Sequence, residues 1–363
     1  MRRAGDRGPS RRKGTMSAAP VTYSYAGLEL GDSIAVVLKD FPAFQTRIDP
    51  HAGRPILLCF LPSLSSPEGV SAVEQLAAEP DLDSRFAARI LVTGPSAAGQ
   101  DELPTVFSEK IVDPGFRILR AFGVAPRETA WNGEAEGARV GWVIVGPSLH
   151  VLSLGSFLRA PNGASRLSPA IQQLSAMLAP YGVPRPPPIL ILPNVFSPAL
   201  CKALVEAYDR NGGAETGVVI NNETVLMRDL KRRRDYFIQE PELIRATHAS
   251  LTRRILPEIE RLFFMKCTRM TRNIVACYAA AEGGHFLRPH RDNIAPETVQ
   301  RRFAVSVNLV DGFEGGEVVF PEYGDTGYKV PAGWALVFPC NIVHLVTQVE
   351  AGARYVWLPF VYE

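Results

Sequence analysis

Two of the chain's six histidines fall in one stretch, GGHFLRPHRDN, residues 283–293. One of them, His290, stands two residues before Asp292. Positions i and i+2 of a strand project to the same side. His290 and Asp292 could therefore offer an imidazole and a carboxylate to one ion, with Arg291 between them pointing away. The same residues are also the composition of an ordinary polar turn. A 2-His-1-carboxylate face holds Fe(II) at three positions and leaves the others open. It needs a further histidine from a distant strand. Downstream of Asp292 there is only His344, in PCNIVHLVTQVEAGARY, among strand-forming residues. Ten residues later comes Arg354, in GARYVWLPF. An arginine buried among apolar strand residues needs an anionic partner. Its planar fork suits a carboxylate held two-pronged, and beside iron that partner would be a dicarboxylate co-substrate. On spacing alone, a metal site and a satisfied core histidine both stand.

The elements that must position these residues belong to a chain of 363 residues, a length that fits two domains. Hydrophobic residues make up 46% and charged residues 21%, the profile of a globular protein. A net charge of +2 does not make the molecule an electrostatic magnet for nucleic acid. The local exception is Lys231-Arg232-Arg233-Arg234, read first as a solvated helix face or loop. Five cysteines with no CxxC argue against a disulfide framework and for a reducing, cytoplasmic setting. No apolar run reaches the roughly 18 residues of a membrane span. Residues 1–20 are basic, lack the apolar stretch of a secretory signal and read as disordered, with either Met1 or Met16 as the start.

A proline-rich run at 183–188 reads as a linker between two halves. Before it, residues 21–182 alternate strand-like runs (RPILLCFLP, AARILVTG) with helical ones: 67–79, 113–124 and 168–178, the last with Ser168 as its N-cap. A hairpin is expected over 139–155. The pattern predicts a three-layer α/β sandwich. After it, residues 189–363 carry helical periods over 197–211 and 241–264, then short strands from 272 onward. That order predicts helices packed on a closed or sandwiched β-structure.

At this point the residues resemble a known family. His290-x-Asp292, His344 and Arg354 match the pattern of Fe(II)/2-oxoglutarate dioxygenases of the prolyl 4-hydroxylase-like type. FAVSVNLVDGFEGGEVVFPEYG (303–324), VPAGWALVFPCNIVHLVTQVEAGARYVWLPF and LPNVFSPALCKALVEA are similar to further segments of that family, so the likeness covers 189–363. The resemblance implies a double-stranded β-helix (jelly roll) with flanking helices. It implies His290, Asp292 and His344 as iron ligands, Arg354 on the distal carboxylate of 2-oxoglutarate, and O2 as oxidant, with ascorbate as a candidate reductant. Tyr278 matches a tyrosine that helps to hold the co-substrate, although its distance to His290 exceeds the usual spacing; a plain packed tyrosine is the alternative. His285 has no counterpart and is expected in a surface or loop role. Nucleic-acid demethylases of the superfamily carry a second arginine six residues after the co-substrate arginine, where this chain has Phe360.

The first half resembles peroxiredoxins, a thioredoxin-fold family. Pro62 and Ser66 in FLPSLSSPEG fit the active-site loop, Gly69 occupies the place of the peroxidatic cysteine, and Arg139 falls where the active-site arginine would be. Without a thiolate there is no nucleophile for peroxide, and Cys59 reads as a buried structural thiol. The expectation is a multidomain α/β plus α+β chain. Its thioredoxin-like half is non-catalytic and binds a substrate, a partner or a second copy in a homodimer. The function expected is hydroxylation of a peptidyl or free amino-acid side chain, proline being the family default. Arg228, Lys231, Arg232, Arg233 and Arg234 are candidates for receiving an acidic substrate. Two alternatives stand beside it: an oxygenase tailoring a small metabolite, and a redox-linked binding protein whose barrel is inert.

Overall fold

A computed structural model of the chain describes residues 28–95, 102–123, 140–183, 185–220 and 223–363. The stretch 1–20 and Arg139 lie outside these residues.

In the first half, α1 (Pro42–Ile48) leads into β1 (Ile56–Phe60), which is buried at every position. The cause is a helical layer on each face. Ile56, Leu58 and Phe60 pack with Phe44 and Ile48 on one side, whereas Leu57 and Cys59 pack with Ala72 and Leu76 of α2 (Pro67–Ala77) on the other. β2 (Ala88–Thr93) runs parallel to β1, and β3 (Glu109–Val112) parallel to β2. β4 (Gly141–Val145) pairs antiparallel with β1 and forms a hairpin with β5 (Val151–Ser156), giving the order β3-β2-β1-β4-β5. Ser66 caps α2, its Oγ accepting from Gly69 N at 3.0 Å. The closing helix, α3 (Leu167–Gln172), starts one residue earlier than expected. Ser165, not Ser168, accepts from its first amides, and the Ser168 hydroxyl donates to Glu79 instead.

In the second half, β6 (Leu190–Leu192) precedes α4 (Pro198–Asn211), whose cap Ser197 accepts from Leu200 N at 3.2 Å. The basic run is not a helix. It forms β7 (Lys231–Arg232) and the start of β8 (Arg234–Phe237). The expected helix over 241–264 is divided into α5 (Pro241–Ser250), a π-helical turn at Leu251–Ile255, and α6 (Leu256–Phe263). Pro257 explains the division: it has no N–H for the preceding turn and its ring crowds the carbonyl four residues back. The remaining strands needed here are β9 (Ile274–Ala279), β10 (Phe286–His290), β11 (Phe303–Asn308), β12 (Val318–Val319) and β13 (Gly327–Tyr328). They are followed by β14 (Ala335–Pro339), β15 (His344–Val346) and β16 (Ala353–Trp357).

One antiparallel sheet runs β7-β10-β15-β12-β13. In the larger sheet β8 pairs β9, β9 pairs β16, and β16 pairs β11, which also pairs β14. Strand alternation divides the larger sheet's side chains. Val275, Cys277, Val305, Val307 and Trp357 turn outward to Leu204, Tyr208 and Ile259 of the helices. Ile274, Ala276, Tyr278 and Val356 turn inward to Leu287 and Val346 of the smaller sheet. The same inward parity carries Ser306, Asn308 and Arg354 into the space between the sheets.

Candidate metal centre

β10 and β15 are antiparallel neighbours, and their register sets His290 opposite His344. The strand ends at His290, so Asp292 lies just beyond it. There its backbone N–H, donated to Cys340 O at 3.0 Å, keeps the carboxylate beside both rings. One donor atom from each of His290, Asp292 and His344 lies within 4.8 Å of the others. Asp292 Oδ1 is 3.5 Å from His290 Nε2, and Oδ2 is 3.3 Å from His344 Nε2. The Nδ1 atoms are engaged by carbonyls, His290 with Arg288 O at 2.8 Å and His344 with Ile342 O at 3.2 Å. A carbonyl only accepts, so Nδ1 carries the proton and Nε2 presents its lone pair to the shared centre. This is the orientation that a metal-binding imidazole takes. Burial and the neighbouring His344 push the pKa of His290 down, favouring the neutral ring. Burial alone would raise Asp292, but the two imidazoles outweigh it and hold the carboxyl well below its usual range. The donor set thus fits a divalent ion.

Arg354 is 4% exposed. Its Nε donates to Asn308 Oδ1 at 3.1 Å and its Nη2 to Ser306 Oγ at 2.9 Å. Asn308 Nδ2 is committed to Val330 O at 2.6 Å, which leaves its oxygen for the arginine. Among the described residues no carboxylate pairs with Arg354. Burial, with Arg233 adding repulsion, brings its pKa down to about 10. The cation lies 5.6 Å from the Tyr278 ring, its cross-strand partner, and Arg233 lies 5.7 Å from the same ring. Such a site favours an added anion.

The model of the 2OG-Fe(II) oxygenase superfamily matches residues 274–362, the segment that holds this constellation. A PKHD-type hydroxylase of Burkholderia ambifaria is 30% identical over 176 residues, covering 45% of this chain and 73% of that protein. The chain belongs to the 2OG-Fe(II) oxygenase superfamily. A PKHD-type hydroxylase of Bordetella pertussis is 37% identical over 89 residues, 21% of this oxygenase and 39% of the relative. A prolyl 4-hydroxylase of Pseudomonas putida, known from a crystal structure, is 16% identical with a TM-score of 0.40, over 48% of this oxygenase and 92% of that chain. As a family member the oxygenase is an oxidoreductase that uses Fe(II), 2-oxoglutarate and O2.

Several residues around the oxygenase site differ from expectation. Lys231 and Arg233 are not on a solvated face: both are buried, as is Asp235. Positions 231, 233 and 235 share one side of the extended chain, where Asp235 lies 2.8 Å from Arg233 Nε and 3.6 Å from Lys231 Nζ. Burial, with Arg233 adding repulsion, lowers Lys231 to about 7. Arg233 Nη1 donates to the Tyr278 hydroxyl at 2.9 Å. Arg228 is exposed and pairs with Glu215 at 3.1 Å, while Arg232 is half-buried and Arg234 exposed. His285 is buried, not superficial, and its Nδ1 accepts from Ala279 N at 3.1 Å. Arg228, Lys231, Arg232, Arg233 and His285 line a cavity of 370 Å³.

Of two arginines absent from the sequence reading, Arg301 reaches a candidate ligand and Arg272 pairs with Asp235 at 3.1 Å. Arg301 Nη1 donates to Asp292 O at 3.2 Å and lies 4.1 Å over the Phe360 ring, and Arg272 lies 5.8 Å from that ring. Ser306 and Asn308 were also missed. Polar side chains at alternate positions of the apolar run FAVSVNLV were their signal.

In the first half, a Cβ at Gly69 would lie 2.1 Å from Ser63 O, so the loop has no room for a cysteine there. Pro62 O accepts from Gly94 N and Ser66 is the cap of α2, so both residues serve the local backbone. Cys59 is fully buried, and burial pushes its thiol far up. The five cysteines are free and buried. Among the described residues, no helix is long and apolar enough to cross a membrane.

Proposed function

We propose that this oxygenase hydroxylates a C–H bond of a peptidyl or free amino-acid side chain, of prolyl type, while 2-oxoglutarate is decarboxylated to succinate and CO2. The observation that carries the reading is the convergence of three donor atoms within 4.8 Å, together with a buried arginine on the inward face of the larger sheet that lacks an acid among the described residues. His290, Asp292 and His344 hold the metal on one face, and the bound ion supplies the activation of O2. The two backbone carbonyls fix the ring tautomers. Arg354, aimed by Asn308 and Ser306, binds the far carboxylate of the co-substrate, and Tyr278 forms the wall beside it. The two facing sheets, with iron ligands on the smaller one, support the reading as a double-stranded β-helix over 189–363.

The test is succinate formation from 2-oxoglutarate by the full chain with Fe(II) and ascorbate, over a panel of prolyl peptides and amino acids. Product is expected with the wild type and not with His290→Ala; equal yields from the two would sink the reading. A second reading, oxidation of a small acidic metabolite, draws support from the 370 Å³ cavity and its cations, a size that suits small ligands. Small acids in the same panel separate the two. Family membership sets aside the reading in which the barrel is inert.

For residues 21–182 the reading is a thioredoxin-like domain without peroxidase chemistry, with 183–188 as the linker. Support comes from the order β2-β1-β4-β5, with β1 and β2 parallel and a terminal hairpin, and from the closed loop at Gly69.

A further inference from the structure

Two residues flanking the candidate ligands, Arg291 and Val343, both meet the first half of the chain. Arg291, between His290 and Asp292, is buried. Its Nε donates to Asp49 Oδ1 at 3.0 Å, across 242 residues of sequence. Its Nη2 lies 2.9 Å from Glu322 Oε1, and its Nη1 donates to Asn341 O. Glu322 Oε1 in turn accepts from Val343 N at 2.7 Å, the amide just before His344. The Val343 side chain is fully buried in the core built by Ile34, Phe44 and Leu58 of the first half. The backbones meet closely beside this network: Gly53, at φ +87, would carry a Cβ only 2.9 Å from Pro321 Cβ. Burial raises Asp49 to about 6 against the pull of Arg291.

One guanidinium therefore clamps three things: the turn between two ligands, the loop that leads to the third, and an acid from the other half. A single ion pair could be packing alone. This one is centred on the residue between two ligands, and its second acid holds the amide before the third. Ligand geometry is set by groups behind the ligands, and losing such a group weakens metal affinity by about 10–100-fold.

We propose that Asp49 is a positioning residue for the metal centre, acting through Arg291, so that docking of the first half completes the Fe(II) site. The proposal rests on the iron reading above. Its test measures Mn(II) affinity by electron paramagnetic resonance on the full chain, without 2-oxoglutarate or turnover. Asp49→Ala and Arg291→Met are each expected to weaken Mn(II) binding by about 10-fold or more. Asp49→Asn, which keeps the shape and an acceptor, is expected to fall between wild type and Asp49→Ala. In an Arg291→Met background, Asp49→Ala should cause no further loss, since its effect passes through that arginine. Phe44→Leu, in the same core but outside the network, controls for lowered stability and should bind Mn(II) like the wild type. Asp49→Ala binding within twofold of wild type overturns the proposal. So does an equal loss in Phe44→Leu, or an undiminished loss in the Arg291→Met background. If His290→Ala binds as the wild type does, the iron reading itself fails, which separates the two failures.

Discussion

Arg354 is aimed before any anion arrives, since Asn308 and Ser306 take two of its N–H groups. Its replacement should therefore act on co-substrate binding more than on metal binding. Arg354→Met is expected to raise the KM for 2-oxoglutarate by roughly two orders of magnitude, from about 3 kcal/mol of lost charge-assisted hydrogen bonding. Mn(II) affinity measured without 2-oxoglutarate should stay within a few-fold; a loss of metal binding in step with KM would contradict the division of labour. Tyr278→Phe keeps the ring beside Arg354 but leaves buried Arg233 without its hydroxyl acceptor. That change should cost about 1–2 kcal/mol of stability, read by urea unfolding. Residue type and spacing singled out His290, Asp292, His344 and Arg354 as candidates, but left a satisfied core histidine open beside a metal site; the family resemblance favoured iron. Arg301 was not legible, because its approach to Asp292 O depends on how the 293–302 loop turns back.

At the scale of the element, the basic run shows how one segment carries two environments. Alternation puts Lys231, Arg233 and Asp235 inside and leaves Arg232 and Arg234 toward solvent. Charge alone cannot reveal this. The acid that makes it tolerable, Asp235, stands inside the run's own period but is outvoted by four cations in composition. Lys231 titrates near 10.5 when unfolded and about 7 when folded. Between those values the unfolded chain binds the extra proton, so stability rises with pH across that window, and the full cost of the buried ammonium is present below it. Lys231→Met should thus be more stable than wild type at pH 6, by about 1–3 kcal/mol, with the gap narrowing from pH 7 to 10. Urea titrations at pH 6 and 9 read it, and a gap independent of pH would refute the assignment. The loop after β1 offers a second prediction. Gly69→Cys puts a thiol where the proposed likeness to peroxiredoxins would place the nucleophile, yet its Cβ would strike Ser63 O. The variant should lose about 1–3 kcal/mol to overpacking and consume no peroxide above background.

For the whole molecule, the contact between halves is a packed, charged seam. Val343 fills the first half's core, and Arg291 bridges to Asp49. Halves joined in this way should open together. Hydrogen exchange at Ile56–Phe60 and at His344–Val346 is expected to report opening free energies within about 1 kcal/mol of each other. A gap of several kcal/mol would mean that the halves open as independent units.

The sequence by itself determined local parity. Apolar runs and alternating periods marked β1, β2 and the hairpin of the first half and the strands after residue 272, though not β3, β7 or β8, and the spacing His290-x-Asp292 already turned Arg291 away from the ligands. It also showed that no cysteine stands at position 69. Period and spacing are properties of neighbouring residues, so one chain read in order displays them. What lies opposite an outward residue is not local. That Arg291 meets Asp49, 242 positions away, that Val343 enters another core, and that Lys231 is dry were decided only when the sheets closed and the halves packed. Burial and long-range pairing depend on which surfaces tertiary packing removes from water, and the order of residues carries no direct mark of that.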